Sequence, residues 1–168
     1  MSPDSPDAPQ ALRTIRIWLW VFVVGLVLSG VTAFPLEWEL GLLDGWFGKG
    51  TATSEAFPAL SEWIGKVHGG LVDTYDQYPF IAYGTDWLAF AHLVLAILFI
   101  GPYRDPVKNI WVIQFGMIAC VLVIPLAMIC GHIRGIPMFW RMVDCSFGVF
   151  GIVPLWVVWQ KIQLLQED

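Results

Sequence analysis

The sequence predicts an all-α integral membrane protein: a four-transmembrane-helix bundle with a long extracytoplasmic first loop that carries one or two amphipathic surface helices. Three observations carry this prediction. Four long runs lack any Asp, Glu, Lys or Arg: Ile17–Phe34, Trp87–Tyr103, Ile110–Gly131 and Cys145–Gln160, which are 18, 17, 22 and 16 residues of the 168. A hydrocarbon core about 30 Å thick takes roughly 20 helical residues, and tilt or flanking aromatics cover the shortfall of the shorter runs. Composition agrees, with 57% apolar and 14% charged residues, against about 25% charged in a typical soluble domain. The mean hydropathy is +0.67. Finally, most of the ten Trp, such as Trp18, Trp20, Trp87, Trp111, Trp156 and Trp159, lie near the run ends, where an indole with one N–H donor favours the headgroup level.

Residues 1–12 read as a disordered cytosolic tail, since Met1–Gln10 holds three Pro, two Asp and two Ser. Residues 13–168 read as one membrane domain, with spans at about 15–34, 86–103, 110–131 and 139–161. The first span has features of a signal peptide, with Arg13 and Arg16 ahead of an apolar run that ends in Ser29-Gly30-Val31-Thr32-Ala33. Its 18 uncharged residues are long for a signal peptide, and Phe34-Pro35 disfavours processing. An uncleaved signal anchor is therefore expected.

The loop 35–85 is the largest polar element and carries a net charge of −5, with Lys49 and Lys66 its only basic residues. Leu36–Phe47 suits a short helix, and Lys49–Ser54 suits a flexible link. In Ala59–Tyr78 the residues Leu60, Trp63, Ile64, Val67, Leu71 and Tyr75 recur at three and four positions, which predicts an amphipathic surface helix. Gly69-Gly70 is the expected place for a break or bend in it.

Orientation follows from the basic residues. Arg13 and Arg16 precede the first span, Arg104 and Lys108 occupy the second loop, and Lys161 follows the last span. Placing them inside puts both termini in the cytoplasm and 35–85 outside, as in a bacterial inner membrane. Arg134 and Arg141 in the third loop run against that rule.

Ionisable groups in or near spans are costly to bury and so mark candidate sites. Here they are Asp86, His92, His132, Arg134, Arg141 and Asp144. Ser29 and Cys120 lie near the depth of His92 by residue counting, which makes a ligand pocket around His92 one expectation. The plainer expectation is a neutral imidazole satisfied by Ser29 or a backbone carbonyl. A haem held by His92 and His132 is disfavoured. Counted from Arg104 and Ile110, the two lie roughly 18 and 33 Å up their helices, too unequal for axial ligands of one iron. A metal held by His68 and His132, with Asp73 or Asp144, is a weaker alternative.

Arg141 and Asp144, three residues apart, are placed to pair on one helical face. Arg134 and Arg141 are expected to meet acids of the outer loop, or else to bind an anion. Pro137 suits the first turn of the last helix. Cys120, Cys130 and Cys145 form no zinc spacing, and a Cys130–Cys145 disulfide is a lesser alternative to free thiols. Gly25, Ser29 and Gly30 on the first span, Gly116 and Ala119 on the third, and Ser146, Gly148 and Gly151 on the fourth form small-residue stripes that permit close helix approach.

The sequence contains no H-E-x-x-H, Gly-x-Ser-x-Gly, P-loop, C-x-x-C-H or dinucleotide glycine pattern. It has no basic stripe for nucleic acid. The functional expectation is a noncatalytic accessory or assembly subunit. It would contact the lipid bilayer and a membrane-protein partner, or a second copy of itself, through the outer loop and small-residue faces. The alternatives are a small membrane enzyme or hydrophobic-ligand-binding protein with its pocket near His92, and a metal- or haem-binding membrane protein.

Overall fold

The computed structural model describes residues 8–166, and every regular element in them is helical. In chain order these are α1 (Ala8–Ala33), α2 (Leu36–Phe47), α3 (Ala52–Ala56), α4 (Pro58–Gln77), α5 (Tyr83–Leu98), α6 (Ile100–Arg104), α7 (Ile110–Ile133) and α8 (Met138–Gln166). A 3₁₀ turn, Pro79–Ala82, leads into α5. Four stretches are long and apolar enough to cross a membrane: Ala8–Ala33, Pro79–Arg104, Ile110–Ile133 and Met138–Gln166, of 26, 26, 24 and 29 residues. Each exceeds the roughly 20 residues that a bilayer core requires, as expected of an integral membrane protein.

The helices outrun the apolar runs at the chain ends. α1 starts at Ala8, so residues 8–12, expected in the disordered tail, are helical. Ala8 and Ala11 are buried there, which supplies packing that the polar composition of the tail does not announce. The rest of that tail lies outside the described residues.

The chain divides into two compact units, Met1–Gly25 with Leu95–Asp168, and Leu26–Val94. In the first, buried side chains come from every span: Ile15 and Leu19 of α1, Phe99 and Pro102 around α6, Val112 and Ile113 of α7, and Leu155, Val158 and Ile162 of α8. α7 and α8 form its tightest pair. Their contacts run antiparallel, from Gly116 against Leu155, through Cys120 against Gly148 and Gly151, to Gly131 against Arg141. A Cβ on Gly148 would lie 2.3 Å from the Cys120 carbonyl oxygen, and one on Gly151 2.9 Å from the Cys120 sulfur. Absence of side chains lets the two backbones meet, as small residues do where lipid gives helices no hydrophobic reason to associate. Pro125 and Pro154 sit inside these helices. Each frees the carbonyl four residues before it.

The second unit is built on the α2–α4 pair. Leu40, Ser61 and Ile64 are buried in it. The segment 49–54 is a capped turn rather than a flexible link. Thr51 Oγ1 accepts from the Ser54 amide at 3.2 Å and donates to the Gly48 carbonyl at 2.8 Å, while Thr53 Oγ1 donates to the Trp46 carbonyl. Hydroxyls thus satisfy groups that a helix end leaves open. α4 runs unbroken through Gly69-Gly70, contrary to the expected break. Two glycines cost about 2 kcal/mol of helix propensity. Helix on both sides, packed through Ile64 and begun by Pro58 in the first turn, offsets it. Also in this unit, Gly30 packs against α5, where a Cβ would lie 3.0 Å from the Ala89 carbonyl oxygen and 3.1 Å from His92 Cβ.

Candidate functional site

The clearest polar arrangement joins α2 to α4. His68 Nδ1 donates to Asp44 Oδ2 at 3.2 Å, a pair only 27% and 33% exposed. Gly41 makes room for it, since a Cβ there would lie 3.3 Å from His68 Nε2, whereas one on Gly65 would make only ordinary contact with Asp44 Oδ1 at 3.5 Å. Bonding Nδ1 to a carboxylate fixes the ring and leaves Nε2 for a second partner. His68 lines an open groove of about 590 Å³ whose walls include Phe34, Trp38, Leu42 and Tyr75, with Glu37 as its acid. Such a groove can take an apolar body and hydrogen-bond one polar end.

Asp44→Ala is expected to cost only about 0.5–1 kcal/mol of stability, because the pair is partly solvated. The ring would lose its fixed orientation, and the histidine resonances of a His68-labelled sample should broaden or shift. An unchanged His68 spectrum would show that Asp44 does not orient the ring.

The other predicted site residues fall into both units. Ser29, Asp86 and His92 belong to Leu26–Val94, and Cys120, His132, Arg134, Arg141 and Asp144 to the other. His92 Nδ1 donates to the Leu88 carbonyl at 2.8 Å, back along its own helix. Ser29 is exposed, and Asp86 is half-buried. His92 lines neither the α2–α4 groove nor the groove at the start of α1. Cys120 serves the α7–α8 contact. His132 and Arg134 are exposed at the end of α7.

Arg141 does not pair with Asp144. Its stem crosses the face of Gly131, with Cγ and Cδ 2.7 and 2.6 Å from where a Cβ would sit, and Nη1 donates to the Met128 carbonyl at 3.4 Å. Arg141 is thus carried toward α7, away from the residue three positions along its own helix. Pro137 stands one position before α8, where its carbonyl accepts from the Trp140 and Arg141 amides, each at 3.1 Å. Cys120, Cys130 and Cys145 are free thiols, and the alternative disulfide is not formed. No group of three or more His, Cys, Asp or Glu able to hold a metal is gathered among the described residues.

The Asp44 partner was missed in the sequence reading. Its only local signal is an acid on the helix that precedes a histidine-bearing amphipathic helix. The pairing itself depends on the Gly48–Ala56 turn that folds α4 back on α2. The described residues form an all-helical fold with four span-long helices, and comparison with known protein families, curated proteins and solved structures finds no match.

Proposed function

We propose that this chain is a noncatalytic subunit of a membrane assembly, holding a neighbouring membrane protein through its outer segment. In this reading the four span-long helices form a bundle, both termini lie in the cytoplasm and residues 35–85 lie outside a bacterial inner membrane. Arg13, Arg16, Arg104, Lys108 and Lys161 support that orientation.

The observation that carries the reading is a ridge on α2. Trp38, Leu42 and Trp46 follow one another at four-residue steps and are 64%, 43% and 67% exposed. The opposite side of the helix buries Leu40. Two exposed indoles around a leucine make the kind of anchor that dominates protein interfaces. Glu37, Glu39 and Asp44 on the same helix disfavour an anionic lipid surface as the ridge's partner.

The test is a photo-cross-linking residue at position 42, used in native membranes. One discrete polypeptide should be captured, a second copy of the chain included, and W38A/W46A should lower the yield roughly tenfold, as loss of about 1.4 kcal/mol or more of binding requires. Cross-links to lipid alone would contradict the reading.

A second reading, a lipid- or hydrophobic-ligand-binding protein or small membrane enzyme, draws on the His68 groove. Its apolar walls, with Glu37 and His68 as polar groups, suit an amphiphile. In that reading the pocket is the groove beside His68 rather than one around His92.

A further inference from the structure

We propose that the groove at the N-terminal end of α1 binds the phosphate of an anionic phospholipid. The groove encloses about 460 Å³ between Leu12, Arg13, Arg16, Ile17, Trp20 and Tyr103. Arg13 and Arg16 both line it, and no carboxylate is among its lining residues within the described part of the chain. Tyr103 organises the wall: the Arg16 guanidinium carbon lies 5.7 Å from its ring centroid, and Trp20 meets the same ring edge-on at 6.1 Å and 78°. A guanidinium stacked on an aromatic face keeps its N–H fork available and loses little freedom when it grips a phosphate. That fork matches two phosphate oxygens at once.

The position selects a lipid over free phosphate. The charge-free run of α1 begins at Ile17. Arg16 and Arg13 therefore precede the hydrocarbon boundary by roughly 1.5 and 6 Å along the helix, which is headgroup depth. From there Ile17, Val21 and Val24 continue up α1 as a stripe, 53%, 54% and 45% exposed. An acyl chain attached to the bound phosphate would lie along it, whereas inorganic phosphate has no use for such a surface. This site is independent of the α2 ridge and stands whether or not the chain is a subunit.

The experiment is native mass spectrometry of the full chain in mild nonionic detergent, with equal amounts of phosphatidylglycerol and phosphatidylcholine of matched acyl chains. Phosphatidylglycerol should be retained roughly tenfold over phosphatidylcholine, the preference two near-surface arginines supply. R13Q/R16Q should bring the two lipids close to parity, while R134Q, at the other end of the spans, should keep the preference. Tyr103→Leu retains both charges and should lower the preference several-fold, which gives a reading if the double variant fails to fold. A large excess of inorganic phosphate should leave the lipid bound. The proposal is overturned by equal retention in the unmodified chain, or by a preference that survives R13Q/R16Q. Displacement by inorganic phosphate would overturn the assignment to lipid.

Discussion

Gly148→Val is expected to be the most damaging single substitution, costing about 3 kcal/mol or more. A Cβ there would stand 2.3 Å from the Cys120 carbonyl oxygen, a backbone atom that cannot rotate away, so α7 and α8 must separate. Overpacking a well-filled contact typically costs about 1–3 kcal/mol, with the upper end reached where backbone has to move. Gly25→Val supplies the control: nothing lies within 4 Å of a Cβ at that position, on the same kind of span. Unfolding by SDS titration from mild detergent should show Gly148→Val strongly destabilised and Gly25→Val within about 0.5 kcal/mol of the parent. Equal midpoints for the two would refute the close α7–α8 crossing.

Phe99→Ala is expected to follow, at about 2–3 kcal/mol. Phe99 is 2% exposed, its ring lies 4.8 Å from that of Phe22, and its Cζ is 2.9 Å from where a Gly116 Cβ would sit. In water such a truncation costs about 3–5 kcal/mol, part of it from transfer of the ring out of the core. Lipid solvates a phenyl group about as well as protein does, so chiefly the cavity and its lost dispersion contacts remain. Phe150→Ala on α8 removes a ring that is 74% exposed and should change stability by less than about 0.5 kcal/mol. The same titration compares the two. A Phe150 effect as large as that of Phe99 would mean that the buried cluster around Phe99 is not where the unit draws its stability.

The spans were legible because a run of apolar residues without charge has few other structural solutions. α2 and α4 were legible to within a residue: Leu36–Phe47 suited a short helix, and the three-to-four periodicity of 59–78 marks Pro58–Gln77. The glycine stripe at Gly148 and Gly151 signalled close approach, though not that its partner would be the Cys120 backbone. Gly69-Gly70 misled, because propensity is a local quantity and the surrounding contacts of α4 outweigh it.

The polar groups were less legible for a related reason. Sequence offered Arg141 the acid three residues along its helix, but the space above Gly131 draws its stem toward α7. His68 found Asp44 across 24 residues, through a turn built from Thr51 and Thr53 hydroxyls whose geometry no spacing rule encodes. The Arg16–Tyr103 contact likewise joins residues far apart in the chain. Such pairings depend on how helices meet, which residue periodicity does not record.

Whether this chain works as a subunit of a larger membrane assembly is decided by native mass spectrometry of the protein released gently from its own membranes. The expected result is a mass made of this chain plus one or more other polypeptides, with loss of the added mass in W38A/W46A. A bare chain carrying only a small retained molecule would contradict it and move the function to the groove beside His68.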